Sequence, residues 1–304
     1  MIALPPTDRL WRGFDRTALD HQYDARGTVT DYEAEARAYA EDSVAAMTTL
    51  DRRADLVFDA ASGSALDLYP AAAGPGPHPV FVWVHGGYWR ALSKQENAFI
   101  APALVAAGIS VAVIDYTLAP AATLEEITRQ TRAAVTWVHR HATEHGIDPG
   151  RIFVGGSSAG GHLTGMLLAA DGWRAEAGLP RDVIKGAVSL SGLYELEPVR
   201  LGRVNDWLGL DAARARRLSP LHLLPTDPAD GCPLIVSYGG SETAEFKRQT
   251  EDYLAAWTGH GHPGRFVAME DCNHFDIARR LGTPGTPLAG AAIRLICGDV
   301  TGNP

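Results

Sequence analysis

The chain has 304 residues, 46% of them apolar and 21% charged, with 27 basic against 36 acidic side chains and a formal charge of −9. This is ordinary globular composition, which excludes a disordered, collagen-like or disulfide-scaffold protein, and the acidic balance argues against nucleic acid or an anionic membrane as the main partner. Three cysteines, Cys232, Cys272 and Cys297, form no CxxC pair and no even-numbered framework, the pattern of a reducing cytoplasm.

Met1 to Asp8 shows neither a basic n-region nor a long apolar stretch, so no leader is expected there. The first 50 residues are polar and alanine-rich. Thr30 and Glu33 have the spacing of a capping box, which predicts a helix from about Asp31 to Thr49. Leu56–Asp59 and Leu66–Tyr69 read as two short strands around a Ser62-Gly63 turn. The loop Gly74-Pro75-Gly76-Pro77 precedes Val80–Val84, an apolar run of the kind found in buried parallel strands. Asn97 to Ile114 holds no charge and is about as long as a bilayer span. However, Phe99–Ala107 reads as helix, Gly108 as its stop and Ile109–Ile114 as a buried strand.

Further strands are expected at Ile152–Val154, Val183–Leu190, Leu234–Tyr238 and Phe266–Met269, making eight in all. Helices are expected near Lys94–Ala107, Leu124–Glu144, Ala159–Ala170, Ala244–Thr258 and Leu288–Cys297. Such alternation predicts a mostly parallel α/β sheet with helices on both faces, in one domain spanning 1–304. Residues 1–50 form a helical extension near the site. Residues 196–228, least regular from Arg200 to Pro228, form an insertion placed to shape a pocket rim.

Gly156-Ser157-Ser158-Ala159-Gly160 follows a strand and opens a helix, the context that Gly-x-Ser-x-Gly requires. A nucleophile on such a turn is held in strained backbone geometry, and its hydroxyl projects toward substrate from the helix N-terminus. The frame selects Ser158, because Ser157 would need glycine at position 159. Neither a dinucleotide fingerprint nor a P-loop fits, since serines occupy 157 and 158 and His162 follows Gly161.

His85-Gly86-Gly87-Tyr88-Trp89 follows the strand Val80–Val84 directly. Its two glycines leave backbone N–H groups unblocked, and with the N–H of Ala159 they are candidates for an oxyanion hole. Losing one such donor typically costs roughly 100- to 1,000-fold in turnover. His85 itself is expected to brace the loop by hydrogen bonding.

A serine nucleophile needs a base, and the base needs a carboxylate to fix its tautomer. With the nucleophile on a strand-to-helix turn, acid and then histidine follow in chain order. Glu242 lies just beyond Leu234–Tyr238 and His274 just beyond Phe266–Met269, which places both on the rim that carries Ser158. Glu245 is the nearest competitor for the acid, and Asp271 is expected to cap its loop.

His141, Glu144 and His145 match a zinc-peptidase spacing, but they end a helix at the opposite edge of the sheet from Ser158, so no metal is expected. His260 and His262 read as solvated surface and Cys272 as a small buried residue.

His85-Gly-Gly-Tyr-Trp89, Gly156-x-Ser158-Ala-Gly160-Gly-His162, Ser191-Gly-Leu-Tyr194 and Glu242-x-x-Glu-Phe-Lys-Arg-Gln249 together resemble the kynurenine formamidase branch of the α/β-hydrolases. That branch borders the hormone-sensitive-lipase-like esterases. The resemblance runs from about Leu19 to Cys297 and includes Leu19-Asp-x-x-Tyr23-Asp-x-Arg26.

The resemblance implies a cofactor-free serine hydrolase that removes formyl from an aryl formamide such as N-formylkynurenine. Ser158 takes the nucleophile's place, His274 the base's, and Gly86, Gly87 and Ala159 the oxyanion donors' places. Glu242 stands where the well-known formamidases carry Asp. Tyr88, Trp89, Tyr194 and Phe275 are candidate walls of an aromatic pocket, core packing being the other use of the same side chains. The expected partner is a small acyl ester or formamide, with no nucleic acid and no membrane; a homodimer is left open. A carboxylesterase or amidase for other small acyl groups is the alternative, and a non-catalytic ligand-binding protein on the same fold a remote one.

Overall fold

A computed structural model describes residues 9–72, 74 and 76–298. The chain start Met1–Asp8 and Pro75 of the expected loop lie outside the described residues. Eight strands form one sheet in the order β1-β2-β4-β3-β5-β6-β7-β8. They are β1 Arg53–Asp59, β2 Ser64–Tyr69, β3 His78–Val84, β4 Ser110–Ile114, β5 Ile147–Ser157, β6 Ile184–Leu190, β7 Leu234–Ser237 and β8 Gly264–Phe266. β1 and β2 form an antiparallel hairpin and β2 runs antiparallel to β4; from β4 to β8 every pairing is parallel.

β3 and β5 lie at the centre and read as continuous apolar runs because both faces are covered. Along β3 the side chains alternate. Val80, Val82 and Val84 join the core under helices Leu124–His141 and Ala159–Leu168. Phe81 and Trp83 join the core under Phe99–Val105 and helix Pro287–Cys297.

Several boundaries differ from expectation for local reasons. The cap of helix Tyr32–Thr49 is Asp31, whose carboxylate accepts the Ala34 N–H at 2.9 Å, rather than Thr30. The Lys94–Ala107 helix is a 3₁₀ segment, Gln95–Ile100, followed by α-helix Ala101–Ala106, with Pro102 in the first turn, where its missing N–H costs nothing. β8 starts two residues and ends three residues earlier than the apolar run Phe266–Met269 suggested. As an edge strand it pairs only with β7, and Phe266 is exposed, so burial does not set its position. Helices Arg16–Gln22 and Asp276–Gly282 were not anticipated. Residues 196–228 hold three short α-helices, Glu197–Leu201, Asn205–Leu208 and Ala212–Arg217, and a 3₁₀ turn, Pro220–His222. Among the described residues no helix is long and apolar enough to cross a membrane.

Candidate active site

The C-terminal ends of β3, β5, β6 and β7 converge on one rim. Ser158 follows β5 with φ +59° and ψ −119° and precedes helix Ala159–Leu168. This is strained for a residue with a Cβ. The strain is held by its N–H donating to the Leu190 carbonyl of β6 at 2.8 Å and its C=O accepting the His162 N–H at 3.0 Å. The flanking glycines are sterically required. A Cβ on Gly160 would sit 2.0 Å from the Val84 carbonyl oxygen, and one on Gly156 would sit 2.3 Å from that of Gly160.

Beside this turn runs the loop after β3. A Cβ on Gly86 would lie 2.9 Å from the Ser157 carbonyl oxygen, so glycine permits the approach. Gly87 has φ +89°, and its carbonyl accepts the N–H groups of Arg90 and Ala91, which closes a tight turn. Tyr88, Trp89 and Leu92 also have positive φ, concentrating backbone strain next to Ser158.

The orientation of this loop traces to Tyr116, just beyond β4. Its hydroxyl lies 3.1 Å from the carbonyl oxygens of both His85 and Gly86. In a trans peptide the C=O of one residue and the N–H of the next point in opposite directions. Fixing those two carbonyls therefore turns the N–H groups of Gly86 and Gly87 away from Tyr116. His85 braces the loop as expected: Nδ1 donates to the Gly86 carbonyl at 2.9 Å and the ring stacks on Tyr116 at 4.2 Å. Burial pushes its imidazole pKa down to about 4, so the ring is neutral.

Glu242 and His274 lie on the next two turns. Glu242 Oε2 accepts from His274 Nδ1 at 2.7 Å. Its Oε1 accepts from the Ser191 hydroxyl and the Gly239 N–H, both at 2.6 Å, so this buried carboxylate is satisfied at both oxygens. Gly239 and Gly240 let the two turns pack backbone to backbone. A Cβ on Gly239 would lie 2.6 Å from the Cys272 and Asn273 carbonyl oxygens, and one on Gly240 2.1 Å from that of Glu270. Since His274 Nδ1 donates to Glu242, Nε2 is the acceptor of this tautomer.

Asn273, beside His274, donates to Glu35 at 2.7 Å, and the Tyr39 hydroxyl donates to the Phe275 carbonyl at 2.8 Å. Helix Tyr32–Thr49 thus grips the histidine loop.

Ser158 and His274 open into one cavity of about 390 Å³, with Gly86, Gly87, Tyr88 and Phe275 in its wall. Tyr23–Arg26, Tyr32 and Tyr39 of the N-terminal region and Arg203, Val204 and Trp207 of the insertion line it as well. Residues of both segments thus contribute to the cavity wall.

Several expectations need correction. Trp89 and Tyr194 do not line the cavity; both are fully buried. Trp89 points inward to His162, donating from Nε1 to Nδ1 at 3.3 Å, because the positive φ values at Tyr88 and Trp89 send the two rings in different directions. Tyr194 stacks on Tyr253 at 4.0 Å and donates to Ser189. Glu245 faces away from His274, accepting from Trp11 Nε1, the Tyr23 hydroxyl and Arg248. His262 is buried, not solvated, with Nε2 donating to the Pro225 carbonyl at 2.7 Å; His260 is exposed. Asp271 is exposed, and the loop is capped by Asp276, which accepts the Asn273 N–H at 2.7 Å. His141 and His145 pack around Trp137, and Cys272 is buried.

Ser191 and Tyr116 were missed as site residues. Ser191 immediately follows the end of β6, and Tyr116 lies two residues past the end of β4, so strand-end position is the signal that could have found them.

The sequence matches the BD-FAE family over residues 66–178. A kynurenine formamidase of Danio rerio is 31% identical over 75% of this chain and 76% of its own length. One of Salmo salar is 29% identical over 90% of this chain and 91% of its own. A solved structure described as a "putative thioesterase" from Silicibacter sp. TM1040 superposes with a TM-score of 0.77 at 26% identity, covering 92% of this chain and 99% of that one.

Proposed function

Because the chain belongs to the kynurenine formamidase family of α/β-hydrolases and is a hydrolase of formamidase and esterase type, we propose that it removes formyl from an aryl formamide such as N-formylkynurenine through a formyl-serine intermediate. The observation that carries this reading is the Glu242–His274 pair, 2.7 Å apart, opening into the cavity that also holds the strained Ser158.

In the proposed reaction the Ser158 hydroxyl adds to the formamide carbon as its proton passes to His274 Nε2. Glu242, accepting from Nδ1, stabilises the imidazolium that forms. The N–H groups of Gly86, Gly87 and Ala159 receive the tetrahedral oxyanion. Loss of the C–N bond with proton transfer from His274 releases the arylamine. Water, deprotonated by His274, then hydrolyses the formyl-serine and returns formate and free enzyme. Glu242 serves here as the acid, with Ser191 and Gly239 holding the oxygen that does not accept from His274. The free thiols of Cys232, Cys272 and Cys297 fit a cytoplasmic enzyme.

The likeness to a structure described as a thioesterase favours a second reading, ester cleavage by the same residues. Measuring kcat/KM for N-formylkynurenine beside p-nitrophenyl acetate, with Ser158→Ala as the blank, separates the two. Formamide turnover near or above about 10⁴ M⁻¹s⁻¹ supports the first. Ester turnover with negligible formamide cleavage selects the second, and failure of a fluorophosphonate to label Ser158 overturns both.

A further inference from the structure

The cavity mouth departs from the charge of the chain around it. The whole sequence carries −9, yet the ionised side chains in the cavity wall are Arg26, Arg90, Arg203 and Asp24, three cations against one anion. Arg203 pairs with Asp24 at 3.0 Å. Arg26 and Arg90 take part in no ion pair among the described residues. Each guanidinium instead lies on an aromatic ring of the same wall, Arg26 4.2 Å from the Tyr32 centroid and Arg90 4.3 Å from that of Trp207. A guanidinium held over a ring instead of in an ion pair keeps N–H groups available for a planar acceptor.

Both rings are fixed in turn. Trp207 Nε1 donates to the Tyr88 carbonyl at 3.1 Å, and Tyr32 meets Phe275 edge-on at 5.3 Å. Arg90 stands three residues past Gly87, its N–H bonded to the Gly87 carbonyl, so it is tied to the loop beside Ser158.

We propose that Arg26 and Arg90 are specificity residues that bind a carboxylate on the substrate remote from the scissile carbonyl, so that the preferred substrate class is an anionic-group-bearing aryl formamide or ester. The inference rests on the hydrolytic reading of the site but not on the identity of the bond cleaved. Among the described residues the N–H donors of these two guanidiniums, at a net positive mouth, have no partner. Their exposure to solvent makes the attraction dependent on ionic strength.

The test is a matched substrate pair, N-formylkynurenine and its carboxamide, which differ only in the carboxylate. The wild-type enzyme should favour the acid in kcat/KM by about tenfold at low salt, with the preference shrinking as salt rises. In Arg26→Gln/Arg90→Gln the acid-to-amide ratio should fall toward unity, through KM more than kcat. A wild-type ratio near one, or a ratio unchanged in the double variant, overturns the proposal. If neither formamide is cleaved while phenyl acetate is, the formamidase reading fails by itself. The arginines are then judged by the ratio of 3-acetoxybenzoate to phenyl acetate, with the same two outcomes.

Discussion

The Tyr116 hydroxyl stands 3.1 Å from the Gly86 carbonyl oxygen and the same distance from that of His85, thirty-one residues earlier in the chain. One side chain at the end of β4 thereby sets two successive peptide planes at the end of β3. The direction of the two candidate oxyanion donors in this loop, the Gly86 and Gly87 N–H groups, depends on it.

Tyr116→Phe should keep the ring stacked on His85, release the His85 carbonyl and leave that of Gly86 to His85 Nδ1 alone. An oxyanion donor acts through precise placement, so kcat should drop by roughly 10-fold, less than the 100- to 1,000-fold loss of a donor outright. KM should change little, since the ground-state carbonyl depends less on these bonds. Steady-state kinetics together with a circular dichroism spectrum matching wild type would check it.

Glu242 and Glu245 are both buried glutamates in the same turn and helix start, with different partners. Glu242→Gln leaves the shape but offers His274 the wrong hydrogen-bonding group, and kcat should fall by about 10⁴-fold. Glu245→Gln should leave kcat within about threefold while lowering stability by about 1–3 kcal/mol, because it weakens the bonds to Trp11, Tyr23 and Arg248. The two variants compared by kinetics and urea denaturation separate the acid from the anchor of the N-terminal region. Equal losses of activity would be incompatible with these assignments.

Gly160→Ala would put a Cβ 2.0 Å from the Val84 carbonyl oxygen, backbone against backbone at the centre of the sheet. No side-chain adjustment relieves that, so the strand and helix must separate. The variant should be insoluble or melt well below wild type. Gly178→Ala is the control: its Cβ meets nothing within 4 Å, although φ +68° adds strain, so only a modest loss is expected. Differential scanning calorimetry of the pair gives the comparison.

The strand-to-helix turn at Ser158 was legible because its chemistry is steric: small residues around Ser158 are forced by the approach of β3, and a sequence shows small residues directly. His274 and Glu242 were legible from chain order and strand ends. Trp89 and Tyr194 were not, because sequence proximity to a motif carries no side-chain direction; at Trp89 the positive φ also turns the ring away from that of Tyr88. Tyr116 and Ser191 escaped for a different reason. Each acts through a hydroxyl bonded across 31 or 51 residues, a contact that only the register of the folded sheet creates. The early placement of β8 belongs with these, since an edge strand is set by its single neighbour rather than by its own apolar pattern.

His85 and His162 also give the fold a predictable sensitivity to acid. Both are fully buried, and burial lowers each imidazole pKa from 6.5 to about 4. His162 is held as the tautomer that donates from Nε2 to the Leu218 carbonyl at 2.7 Å and accepts from Trp89 at Nδ1. Protonation at Nδ1 would replace that acceptor with a second donor facing the indole N–H. Below pH 6.5 the unfolded chain binds these protons and the folded chain does not, so stability is complete above 6.5 and falls as pH drops toward 4. Each histidine should contribute a slope of up to about 1.4 kcal/mol per pH unit, or roughly 3 kcal/mol across the window. His162→Asn should be less stable than wild type at pH 7.5 yet lose less on going to pH 5, because one proton-uptake site has gone. Urea unfolding at the two pH values reads that difference directly. A wild-type slope matched by the variant would mean that His162 is protonated in the native state at pH 5.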